Sequence, residues 1–195
     1  SKEWLPFQKS WFRYETEEKL LKENIRFFCR PETSDEVFFY KGEQTELVKK
    51  ICLDQNIQFI DFGHYNDKPI QFACIDLRHE IHSESNLISY LSLRKKVISL
   101  CLSIYQSLAH RRFLCVLVPN VQNGDTFLPF AWDLGVQLAS FFSVKDEKIA
   151  CISNENSVKD SNYFTPDNRH FYCLYFRKDE NSSGEYHEKY TNFFN

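Results

Sequence analysis

The sequence predicts an α/β domain: a mixed, largely parallel three-layer (Rossmann-like) sheet with a central buried helix and an N-terminal helical extension. Three features carry this reading. Short apolar runs of strand length alternate with runs of helical period. One pair of strand-like runs is separated only by turn residues. A largely apolar stretch from Val97 to Ala109 lies between Lys96 and His110, which suits a helix inside a protein core. The 195 residues are enough for one large domain. They divide into an aromatic helical extension over 1–24, an α/β domain over 25–178 and a polar tail over 179–195.

Trp4, Phe7, Trp11 and Tyr14 are spaced three, four and three, which predicts an aromatic stripe along one helical face to about Glu23. Ile25 to Arg30 reads as extended and is closed by Pro31. Glu36–Tyr40 is a strand, Thr45–Asp54 a helix and Ile57–Phe62 a strand, a βαβ unit whose crossover allows parallel pairing. Ile70–Ile75 follows after a short turn-rich link, so it is expected to pair antiparallel with Ile57–Phe62. Ser83 reads as the N-cap of a long helix ending near Ala109. Phe113–Val118 is a strand, Phe130–Val144 a helix entered through Pro129, and Lys148–Ile152 and His170–Phe176 are two further strands. A polar loop from Asn154 to Asn168 joins these last two.

Composition narrows the function. Lys and Arg number 24 against 27 Asp and Glu, a net charge of −3, which disfavours a strongly electrostatic nucleic-acid binder. Arg94, Lys95, Lys96, Arg111 and Arg112 remain as nucleic-acid candidates, but they flank the long helix in two groups. Arg111 and Arg112 suit a helix C-terminus. The Val97–Ala109 run rises only about 20 Å, too short to cross a bilayer. Seven cysteines without a CxxC pair, mostly inside apolar runs, read as reduced core thiols of an intracellular protein, nuclear and cytoplasmic being indistinguishable. With five glycines in all, and only Gly42 in the turn Lys41-Gly42-Glu43-Gln44, the chain offers no glycine-rich phosphate cradle. No nucleotide cofactor is expected.

Among catalytic constellations, an Asp61–Asp76 dyad fails because the expected hairpin separates the two by about 16 Å. His79 and His82 lack the HExxH context of a metal site, and no GxSxG elbow is present. What survives is a set of acids at expected strand ends, Asp76, Asp125 and Glu155, able to hold Mg²⁺ if they converge. The leading expectation is a non-catalytic protein-interaction or scaffold domain of a larger assembly. Its partner would bind the aromatic stripe Trp4, Phe7, Trp11 and Tyr14, with no metal and no cofactor. The alternatives are a metal-dependent nuclease-like or nucleotide-handling enzyme using the three acids, and a nucleic-acid-binding module.

Overall fold

The computed structural model describes residues 10–29, 36–61, 68–123, 125–152 and 170–179. Among these described residues, nine strands and four helices run in the order β1 (Trp11–Tyr14), α1 (Glu17–Phe28), β2 (Val37–Lys41), α2 (Thr45–Asp54), β3 (Gln58–Ile60), β4 (Ile70–Asp76), α3 (Leu87–Ser107), β5 (Leu108–Val118), β6 (Val121–Asn123), β7 (Thr126–Leu128), α4 (Phe130–Leu138), β8 (Ser143–Ile152) and β9 (His170–Arg177). Seven strands form one sheet in the order β1-β8-β9-β5-β4-β2-β3, and β6 and β7 form a small separate hairpin. Within the large sheet β9 runs against its neighbours β5 and β8, and the other pairings are parallel.

Period-two alternation in the strands divides the core into two sides. Val37, Phe39, Ala73, Ile75, Leu114, Val116 and Leu174 face α3 and α4. Phe38, Tyr40, Phe72, Cys74, Cys115, Cys173 and Tyr175 face α1 and α2. The result is the expected three-layer α/β architecture. The helix α3 lies along one face, burying Val97, Cys101, Ile104 and Tyr105 and turning Ser99, Ser103 and Gln106 outward. Among the described residues no helix is long and apolar enough to cross a membrane.

The N-terminal segment departs from the expectation. Trp11–Tyr14 is an edge strand whose side chains alternate out and in, and it pairs parallel with β8 from Trp11↔Ile149 to Tyr14↔Ile152. Trp11 and Tyr14 therefore sit on opposite faces, Trp11 63% exposed and Tyr14 buried. Trp4 and Phe7 lie outside the described residues. The helix begins later, where Thr16 accepts a hydrogen bond from the Lys19 amide at 3.2 Å. It then runs through Ile25 and Phe28, the segment expected to be extended, because Leu20, Leu21, Ile25 and Phe28 together bury one stripe. The Tyr175 hydroxyl donates to Asn24 Oδ1 at 2.6 Å and pins this helix to β9. Residues 11–28 thus belong to the sheet and its helical layer instead of standing outside them as an extension.

β4 pairs parallel with β2, and β2 lies between it and β3. The expected β3–β4 hairpin is not formed. Its premise, that a parallel return needs a dozen residues, holds for strands of ordinary length. Here β3 has three residues, and Ile60 is level with Ala73 through their shared partner Phe39. Reaching Ile70 requires a span of only about 14 Å, three residues back and two strand spacings across. Residues 61–69 cover this readily.

Further along, α3 is capped by Asn86, not Ser83, in a reciprocal capping box with Ser89. It stops at Ser107, and β5 starts at once. Between the pairs Ile70↔Leu108 and Phe72↔Phe113, β5 advances five residues while β4 advances two. Arg111 absorbs the excess at φ 59°. Arg111 and Arg112 are therefore strand residues, beyond the C-cap Leu108 of α3 and not in its last turn. The helix α4 ends at Leu138, because Phe141 and Phe142 turn into the core and Ser143 opens a longer β8 than expected.

Two measurements test this packing. Leu20→Ala should destabilise the protein by about 2–5 kcal/mol in chemical denaturation, since Leu20 is completely buried. At the end of β9, Arg177 hydrogen-bonds Asp179 and lowers its carboxyl pKa to about 2. A lowered folded-state pKa stabilises the fold above the unfolded value near 3.8 and loses that contribution as pH falls towards 2. Asp179→Asn should then cost on the order of 1 kcal/mol at pH 7 and progressively less as pH falls through 2.

Candidate functional site

The chain leaves β2 through α2 to reach β3 on one side, and leaves β4 through α3 to reach β5 on the other. The two helices lie on opposite faces of the sheet. The connections therefore diverge between the carboxyl ends of β2 and β4, which opens a crevice at the topological switch point.

Side chains from four elements meet there. Asp76, the last residue of β4, has a fully buried side chain. Its Oδ1 accepts from the backbone N–H of Arg78 at 3.2 Å and from Arg78 Nε at 2.8 Å. Its Oδ2 accepts from Arg78 Nη2 at 2.7 Å and from the Tyr40 hydroxyl at 3.2 Å. The guanidinium also donates to both carboxylate oxygens of Glu17 in the first turn of α1, each at 2.9 Å. It lies 4.5 Å from the ring centre of Phe171 on β9. One arginine thus joins β4, α1 and β9, and Tyr40 adds β2. The Tyr40 hydroxyl accepts in turn from the Gln44 amide at 3.2 Å, at the entrance to α2. Burial is the main force holding the Tyr40 phenol in its neutral form, with the Asp76 charge adding to it.

Gly42 allows this convergence: a Cβ there would come within 2.7 Å of Asp76 Cβ and of the Tyr40 ring. Above this closed base lies an open rim. Glu43, following β2, and His79, following β4, face each other across the crevice with Oε2 and Nδ1 3.0 Å apart, both exposed. The base is saturated within itself; the rim is the tier that a ligand can reach.

The other sequence-selected residues do not gather here. Asp125 is exposed at the turn of the β6–β7 hairpin, and Glu155 lies outside the described residues. Among the described residues no three His, Cys, Asp or Glu side chains are placed to hold a metal. His79 and His82 lie in the loop before α3, with His79 engaged by Glu43. Arg94 bridges α3 to Asp133 of α4 at 2.9 Å, and Arg112 pairs with buried Glu36 at 3.2 Å. Lys95 and Lys96 sit on α3, apart from Arg112, so the five basic residues do not form one patch. None of the seven cysteines, all among the described residues, is in a disulfide, and six are buried. Burial pushes the Cys52 and Cys173 thiols up to about 12 and raises those of Cys29, Cys101 and Cys115 as well, which suits core packing and not nucleophilic chemistry.

Removing Arg78 should expose how far the cluster depends on it. Arg78→Ala leaves the buried Asp76 carboxyl without its counter-ion, and should cost about 3–5 kcal/mol in urea denaturation. Adding Asp76→Asn to that variant should recover part of the loss. Gly42→Ala should cost about 1–3 kcal/mol through overpacking.

The chain matches no protein-family model, and no curated protein matches it. Among solved structures, it aligns with the protein TTHA0409 of Thermus thermophilus, named a DNA modification methylase, at 13% identity over 74% of this chain and 53% of that one, TM-score 0.44. This chain therefore spans about half the length of TTHA0409, which is also known in complex with S-adenosyl-L-methionine. It aligns with the N-methyltransferase NodS of Bradyrhizobium japonicum, in complex with S-adenosyl-L-homocysteine, at 7% identity over 83% and 87% of the two chains, TM-score 0.47. A methyltransferase of Pyrococcus furiosus aligns at 9% identity over 84% of each chain, TM-score 0.46. These neighbours are named as methyltransferases, which runs against the expectations of a non-catalytic interaction or scaffold domain and of a nuclease-like enzyme. Two of the neighbouring structures hold a nucleotide-derived ligand, where no nucleotide cofactor was expected here. The molecule's own geometry agrees: Trp11 and Tyr14 of the aromatic stripe are split between two sheet faces, and Asp76 is saturated by Arg78 and Tyr40.

Proposed function

We propose that this chain is a methyl-transfer domain whose switch-point crevice, between the carboxyl ends of β2 and β4, takes a nucleoside-type cofactor of the S-adenosylmethionine kind. The observation that supports it is the position of the rim. The exposed pair across the crevice, Glu43 and His79, stands where an open parallel sheet presents ligands.

The scarcity of glycine fits this cofactor. A pyrophosphate needs a nest of backbone N–H groups, and close approach to it needs several glycines. A methionyl-adenosine sulfonium carries no phosphate, so an acidic rim suits it better than an anion cradle. Glu43 supplies an exposed carboxylate able to accept from ribose hydroxyls. Asp76 at the base has both oxygens doubly hydrogen-bonded and is closed to a ligand. Tyr40, Asp76, Arg78 and Glu17 instead hold the ends of β2 and β4 at fixed separation. When bound, the cofactor supplies a methyl group on a positively charged sulfur. The chain's part is to orient the nucleoside through Glu43 and to keep the floor of the site rigid.

Calorimetric titration tests the reading. S-adenosyl-L-homocysteine should bind and raise the melting temperature, ATP should bind more weakly, and Glu43→Gln should weaken the adenosyl ligand by roughly 10–100-fold, as for a lost hydrogen bond to a charged group. No binding of S-adenosyl-L-homocysteine at millimolar concentration would overturn it, as would equal binding by Glu43→Gln.

A further inference from the structure

The exposed pair at the rim, Glu43 with His79, is placed by backbone on both sides of the crevice. Leu77 and Ile81 are buried, and the Leu77 carbonyl accepts from the amides of Glu80 and Ile81 at 3.1 and 3.0 Å. The closed turn between them carries Arg78, which points inward to Asp76 and Glu17, and His79, which points outward. Opposite, the Gln44 amide donates to the Tyr40 hydroxyl at 3.2 Å, and the Thr45 hydroxyl donates to the Gly42 carbonyl at 3.0 Å. These bonds bracket Glu43. The 3.0 Å contact from Glu43 Oε2 to His79 Nδ1 therefore joins two anchored turns.

That contact assigns the protons of the ring. A carboxylate only accepts, so Nδ1 carries the hydrogen, and in the neutral ring the lone pair is on Nε2. A second proton can add only at Nε2. It takes the pair from one negative charge to none, and imidazoles make this change in the range of about pH 5 to 8. The charged groups around the pair do not compete for it. Arg78 is bound to Asp76 and Glu17, and Glu46 in the first turn of α2 is bound to Lys49 at 2.9 Å. Lys41 at the end of β2, and Glu80 and His82 on the loop of His79, are exposed to water, which screens them.

We propose that His79 sets the preference of the crevice between a sulfonium cofactor and its uncharged thioether product. This rests on the reading of the crevice as a site of the S-adenosylmethionine kind, and adds regulation to it. S-adenosyl-L-methionine and S-adenosyl-L-homocysteine differ by one methyl group and one positive charge. With His79 neutral, the Glu43 carboxylate favours the cation. With Nε2 protonated, the pair is neutral overall and that advantage is lost. Acidity therefore shifts the site towards keeping its product, which is a brake on turnover. By reciprocity, binding the sulfonium expels a proton from Nε2, and binding the thioether does not.

Calorimetric titration of the full chain with each ligand, at about pH 5 and about pH 7.5, tests the proposal. In wild type the ratio of the two affinities should move towards the thioether by about threefold to tenfold on acidification, the effect of one unit charge close to another where water has access. His79→Gln keeps an N–H donor for Glu43 but cannot titrate, so its ratio should be the same at both pH values. His82→Gln, on the same loop, should keep the wild-type shift. Midway between the two pH values, titrations of wild type in buffers of different ionisation enthalpy should show proton release with S-adenosyl-L-methionine and none with S-adenosyl-L-homocysteine. An unchanged or reversed ratio in wild type, a shift that His79→Gln retains or His82→Gln abolishes, or equal proton release with both ligands would overturn the proposal and leave the cofactor reading standing. Binding of neither ligand would overturn both.

Discussion

The guanidinium of Arg78, only 11% exposed, is shared between two carboxylates that have no sequence relationship: Asp76, two residues before it, and Glu17, sixty-one residues before it. Its face rests on Phe171, and Tyr40 closes the remaining side of Asp76. A buried ion triad of this kind contributes little net stability, since desolvation offsets most of the Coulomb gain. Its effect is on position. Any other arrangement of β2, β4, α1 and β9 would leave a charge buried without a partner, so alternative packings of the switch point are penalised.

The same economy of charge recurs on the opposite face. Arg94, Asp133 and Tyr90 join α3 to α4, and the Tyr90 and Phe130 rings stack at 4.0 Å beneath them. In both places an arginine and an aspartate are consumed in holding helices in place, while Glu43 with His79 and the rings of Phe127 and Trp132 stay exposed at this end of the sheet.

The fold class was legible because alternation and helical period are local properties. Buried strands such as Phe38–Tyr40 and Leu114–Val118 are apolar on both faces, as a covered parallel sheet requires. Three-residue spacing misled at the N-terminus: Trp11 and Tyr14 also satisfy strand alternation to opposite faces, and pairing with β8 decided between the two. Asp76 was visible as a strand-end residue. Glu17 was not, because nothing near it in the chain signals that α1 folds across the crevice. Phe127 and Trp132 share no period, and they meet only because the β6–β7 hairpin turns back onto α4.

By itself, the amino-acid sequence determined the layers, the rough position of most elements and the absence of a glycine-rich phosphate cradle, all of which follow from side-chain type and spacing along the chain. The tertiary structure decided which strands are neighbours, and hence which strand ends face each other. That choice depends on contacts between distant residues: the brevity of β3 that lets β4 return parallel, the bulge at Arg111 that sets the register of β5, and the arginine that fastens α1 over the ends of β2 and β4. Pairing of charge and closure of the sheet are non-local, so the site they create exists only once the chain has folded.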